Sequence, residues 1–167
     1  MLRGQRLVAE VPVLDIEAHY RGRHCHTQTL HWQNADGSSR RFHYALAPGQ
    51  LHWDDGDAAD SRSLALPSGA LQFPLLRAAT GRLLQELAGG AGPVVLPNLR
   101  VAEQAADFLH PIVSERWVEA QAGAGHYRYF GGEYGDAGAE YWLDEQAIVQ
   151  RYRWLSPTGL WEIRLQA

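Results

Sequence analysis

The sequence predicts a mainly β domain of the α+β kind: a single curved antiparallel sheet or half-barrel, with one main helix covering its concave face. Three observations carry this. Apolar and polar residues alternate at a period near two over much of the chain. Breaks rich in glycine, asparagine and aspartate separate these stretches at intervals that suit hairpins. Only Pro74–Leu87 switches to convincing helical spacing. Strands do not alternate with helices as they would in a parallel doubly wound sheet.

The elements follow in order. Leu7, Ala9, Val11 and Val13 alternate, and Pro12, which cannot donate to a ladder, marks Leu7–Leu14 as an edge strand or extended arm. Ile16–Tyr20 and His24–Gln33 form a hairpin about Arg21-Gly22-Arg23. The run Asn34–Ser39 reverses the chain into Arg40–Leu46, and Pro48-Gly49 returns it through Gln50–Trp53. The acidic stretch Asp54–Ser61 reads as a loop. After a short Ala70–Phe73 strand, Pro74 opens the helix, whose Leu75, Ala79, Leu83 and Leu87 line one face, and Gly89-Gly90 ends it. Gly81 inside it costs about 1 kcal/mol relative to alanine and so marks a close backbone approach. Val94–Leu96 and Leu99–Val101 are extended about Pro97, and Ala102–Leu109 suits a brief second helix that stops before Pro111. Strands follow at Val113–Gln121, His126–Phe130, Glu140–Leu143, Ala147–Leu155 and Leu160–Leu165. In the last, Trp161, Ile163 and Leu165 alternate with Glu162, Arg164 and Gln166, which predicts one buried face and one wet face.

A chain of 167 residues is one domain's length, so residues 1–167 are read as a single unit. The net charge of −4 supplies no basic field for phosphates, so nucleic acid is not an expected partner. All 15 positive residues are arginine. Without lysine there is no Schiff base, no pyridoxal-phosphate lysine and no Walker-loop lysine. The single cysteine, Cys25, closes no intramolecular disulfide and builds no CxxC site. No apolar run approaches the length of a membrane-spanning helix, so no integral membrane segment is expected. Residues 1–16 hold no unbroken apolar stretch of a signal peptide. The chain as it starts therefore reads as cytoplasmic, and a periplasmic chain with its signal peptide removed would read the same.

Four of the eight histidines fall between positions 19 and 31, with Cys25 among them. His24 and His26, two apart on a strand, share a face and are the candidate metal ligands. His31 has the opposite parity and joins them only through a bulge. Cys25 points away from both imidazoles and reads as a small inert thiol rather than a nucleophile. Asp55, Asp57 and Asp60 lack the EF-hand pattern, and no serine sits in Gly-x-Ser-x-Gly. Glu133 and Glu140 are one of many carboxylate pairs a β protein offers. Trp32, Tyr44, Trp142, Tyr152 and Trp154, large rings on strands with one polar atom each, are the candidate ligand-binding residues of an apolar pocket wall.

The run Glu140–Trp154, with its aromatic-Leu-Asp turn and tyrosine-bearing return strand, resembles the late strands of the LolA-like half-barrel superfamily. That superfamily includes lipoprotein-localisation factors and a family assigned to glycolipid binding. The hairpin Glu17–Trp32, with Gly22 at its turn, is similar to their early strands, and Pro74–Leu87 to helices that plug the concave face. The resemblance implies a cavity between sheet and helix that accepts an acyl chain, without catalysis or cofactor. The expected function is thus non-catalytic binding of a hydrophobic or amphipathic small molecule. The alternatives are a metal-dependent β-barrel enzyme using His24 and His26, and a protein-interaction module using an exposed sheet edge.

Overall fold

The structure, a computed structural model, describes residues 1–8, 11–56, 61–157 and 159–164. Strands β1 (Leu2–Val8), β2 (Val11–Arg21), β3 (His24–Gln33), β4 (Ser39–Ala47), β5 (Gln50–Asp54) and β6 (Arg62–Ala65) form a six-stranded antiparallel meander in chain order. A second sheet of seven strands runs in reverse spatial order from β7 (Leu71–Gln72) through β8 (Ala91–Pro97), β9 (Pro111–Ala120), β10 (His126–Phe130), β11 (Ala139–Leu143) and β12 (Val149–Ser156) to β13 (Gly159–Arg164). Its pairs are antiparallel except β7 with β8, which are parallel and joined through helix α1 (Gly81–Leu87).

The predicted mainly β, α+β class with one helix holds, but the strands divide into two sheets instead of forming one. The ladder is interrupted after β6, because β7 pairs with β8 rather than with β6. Leu7–Leu14 is not one arm. It spans the reversal from β1 to β2, and Ala9 and Glu10 lie outside the described residues. The helix is shorter than its apolar spacing predicted, because Leu76 is extended at ψ 96° and a 3-10 turn, Arg77–Ala79, intervenes before α1. Ala102–Leu109 forms turns rather than a helix, and Leu109 takes φ 63°, a left-handed conformation no α-helix admits.

Two cores explain the arrangement. Under the first sheet, Leu14, Ile16, Leu30, Trp32, Phe42 and Tyr44 pack against Phe108 and Leu109. Trp32 meets Phe108 edge-on at 5.0 Å, and the Tyr44 hydroxyl donates to the Leu109 carbonyl at 2.6 Å. Against the second sheet, Leu83, Leu84 and Leu87 of α1 pack on Val118, Tyr129, Tyr141 and Tyr152. Strand β8 serves both: Val94 belongs to the second core and its neighbour Val95 to the first. Successive strand residues face opposite sides, so a strand buried on both faces is apolar at consecutive positions. The sheets are also tied by Gln28 of β3, which is 1% exposed. Its amide nitrogen donates to the Phe73 carbonyl at 3.0 Å and its oxygen accepts from Leu75 N–H at 3.2 Å.

Candidate functional site

The strand pattern that places the histidines is broken by a bulge. Tyr20 of β2 pairs with Cys25 and His19 with Thr27, so His26 is the extra residue on β3. Beyond the bulge, Gln28, Leu30 and Trp32 face the core; before it, Cys25 does. His24 is left exposed and His26 half-buried. Both open onto a cleft of about 310 Å³ where the end of the β2–β3 hairpin, the β4–β5 turn and the chain between β6 and β7 converge. Its apolar walls include Leu46, Leu66, Pro67 and Ala70, and Arg21, His24 and His26 stand among its polar lining. Leu46 and Leu66 also pack against the first core, so the cleft wall continues the hydrophobic interior.

On the other side of Cys25 lies the space between sheet and helix in which an acyl cavity was expected. It is bounded by Tyr20, Cys25 and Gln72 on the strands and by Leu83 and Glu86 of α1, and it holds about 10 Å³. That is room for about one water molecule and not for an acyl chain. Gln72 is 3% exposed, and neither atom of its amide group has a hydrogen-bond partner among the described residues. Burial pushes the Cys25 thiol up to about 12, so thiolate is scarce near neutral pH and a nucleophilic role is disfavoured.

The expected aromatic wall is divided among three places. Trp32 and Tyr44 are consumed by the first core and Tyr152 by the second. Trp154 packs edge-on against Tyr134 at 5.1 Å. Trp142 stacks on His126 at 4.5 Å, with the Arg151 guanidinium 4.5 Å from its ring centre. None of the five lines the cleft. Rings on strands suit a core as well as a pocket, and here close packing took them.

Among the described residues, no three histidine, cysteine, aspartate or glutamate side chains gather as a metal centre requires. His31 does share the outer face with His24 because of the bulge, but the two are seven positions apart along the strand, roughly 20 Å. It belongs to a broad polar hollow of about 710 Å³ on the outer face of the first sheet. There Arg3 bonds Glu17 at 2.8 Å and His31 lies 3.9 Å from Asp15. Of the acidic loop, Asp55 pairs with Arg62 at 3.7 Å, and Asp57 and Asp60 lie outside the described residues.

Glu133 and Glu140 do not form a catalytic pair, since each is held by its own arginines. Glu140 is bonded by Arg153 and Arg128, and Glu133 by Arg100 at 3.0 Å and Arg116 at 2.9 Å. Burial raises both carboxyls, but the arginines outweigh it and leave each below its ordinary value, so neither is a proton donor at neutral pH.

Sequence reasoning missed two cations, one wholly buried and one half-buried. Arg116 on β9 is wholly buried and donates to the Gly131 carbonyl as well as to Glu133. Arg77 has no carboxylate within ion-pair distance among the described residues. Its guanidinium bonds the hydroxyls of Tyr134 at 2.9 Å and Tyr141 at 2.8 Å, and lies 4.5 Å from the centre of the Tyr152 ring. Their signals were present: Arg116 shares the inward parity of Val118, and Arg77 interrupts a run of leucine and alanine.

Comparison of the chain with protein-family models, with curated proteins and with solved structures finds no match. Among the described residues, no helix is long and apolar enough to cross a membrane.

Proposed function

We propose that the protein binds, without catalysis, a small amphipathic molecule in the cleft between the β2–β3 hairpin end and the β4–β5 turn. The observation that carries this is the composition of the cleft. Its walls are aliphatic and continuous with the core, while its cationic and polar groups are Arg21, His24 and His26. Its volume, about 310 Å³, is at the lower end of the range for ligand sites. An occupant with a short apolar body and an anionic head satisfies both parts: burial of the body supplies the favourable energy and the arginine orients the head. This relocates the lipid-like ligand of the LolA-like resemblance from between sheet and helix to the mouth of the first sheet. His24 and His26 become head-group contacts rather than metal ligands.

The test is fluorescence titration of the full chain with anilinonaphthalene sulfonate, followed by displacement with decanoate. Saturable enhancement that decanoate reverses is expected. Ala70→Trp, which fills the cleft, should abolish it while leaving thermal unfolding unchanged. Arg21→Gln should weaken decanoate about threefold, since an exposed ion pair is worth only ~0.6 kcal/mol. No saturable binding by the native chain, or binding indifferent to Ala70→Trp, would overturn the proposal.

A further inference from the structure

The last hairpin ends in a strand whose apolar residues are left exposed among the described residues. Trp161 and Ile163 of β13 are 50% and 48% exposed, although they sit across from Trp154 and Tyr152 and continue the inner face of the second sheet. Leu155 and Leu160, paired at the hairpin tip, are also exposed. These four make up most of the large exposed apolar side chains among the described residues.

Among the described residues, β13 is also an edge of its sheet without a further strand beside it. The other edges are protected in recognised ways. β6 has only four residues and opens on Arg62 and Ser63, and β7 has two. β1 presents Arg3 and Gln5, each held in a polar pair with β2. β13 offers six residues of edge without proline, with leucine, tryptophan and isoleucine beside Glu162 and Arg164.

We propose that the partner of this edge is a second copy of the same chain, joined β13 to β13 in an antiparallel, two-fold symmetric pair. The charges on the strand select both the partner and the register. Glu162 and Arg164 share the outer face of β13, where Arg164 donates to Glu162 at 2.6 Å. A two-fold axis at Ile163 sets Glu162 of each copy opposite Arg164 of the other, and Ile163 opposite Ile163. Trp161 then lies diagonally across from Ile163 of the second copy, within reach of its ring. Moving the axis to Glu162 would oppose two like charges, and moving it to Trp161 would set Glu162 against Leu160. Only the register at Ile163 pairs opposite charges on one face and apolar groups on the other. The same patch serves both copies, as an isologous interface requires. The second sheet then continues across the axis, and the proposal is independent of the cleft, which lies in the first sheet.

Sedimentation equilibrium on the full chain over a concentration series tests this. A reversible monomer–dimer equilibrium is expected. Ile163→Lys should shift it to monomer. Glu162→Arg should weaken the dimer at least tenfold, and the double exchange E162R/R164E should recover it, with circular dichroism confirming the fold of each variant. Hydrogen exchange supplies a readout that needs no variant: the outward β13 amides should gain protection as concentration rises. A native chain that stays monomeric, a dimer indifferent to both single substitutions, or a dimer whose β13 amides remain unprotected would each overturn the proposal.

Discussion

Arg116 shows how one residue sets the cost of its neighbours. A wholly buried guanidinium is tolerable only when its charge is matched and its N–H groups are bonded. Glu133 matches the charge, and Glu133 and the Gly131 carbonyl bond the two terminal nitrogens, leaving Nε without a hydrogen-bond partner among the described residues; Gly132 at φ 59° leaves room where a side chain would strike the Arg100 and Arg116 guanidiniums. Glu133→Gln keeps the shape and removes the charge. We expect it to destabilise the fold by about 2 kcal/mol in urea unfolding at neutral pH, less than for a fully buried pair because Glu133 is itself one-third exposed. The pH dependence has a definite sign. The Glu133 carboxyl is lower in the folded than in the unfolded state, so its contribution is present above the ordinary carboxylate value of 4.5 and fades as pH falls through the depressed one. In the glutamine variant that part of the acid-induced loss should vanish, which unfolding curves at a series of acidic pH values would check.

At the scale of the element, Gly81 is informative because propensity and packing make opposite predictions. It is the first residue of α1 and not its middle, and a Cβ there would overlap the Ala147 carbonyl in the β11–β12 turn. That turn is fixed by Asp144, whose carboxylate accepts from the Gln146 and Ile148 N–H groups at 2.9 Å each, with Ala147 at φ 61°. Gly81→Ala should therefore lower the melting temperature, although intrinsic helix propensity alone favours alanine by about 1 kcal/mol. A rise in melting temperature would show that α1 does not seat against the turn. The close approach was legible in the sequence as a glycine retained among helix formers. The helix boundary was not, because Leu75 and Leu76 satisfy helical spacing yet pack into the neighbouring cores ahead of the helix, Leu75 in a bend and Leu76 with extended backbone.

For the molecule as a whole, the decisive contacts are those that hold the two sheets together. Gln28 satisfies two backbone groups of the 73–75 segment from a strand of the opposite sheet. Gln28→Leu would leave both without their partner, at a cost of about 1–3 kcal/mol for each buried group. The expected result is a lower urea midpoint, and an unchanged one would mean that the segment finds other partners. What the sequence determined by itself was local: the hairpins, the β-rich class, the inert thiol and the absence of lysine chemistry follow from spacing, turn residues and composition. The tertiary structure decided which apolar faces meet. One sheet became two because β7 pairs with β8, and the candidate pocket rings Trp32, Tyr44 and Tyr152 became core. His24 and His26 reached a common cleft because the β4–β5 turn and the chain after β6 close on the hairpin end, and the apolar residues of β13 were left exposed. Period and turn chemistry act between neighbours in the chain, whereas burial depends on residues tens of positions apart, and a single sequence records the first far more directly than the second.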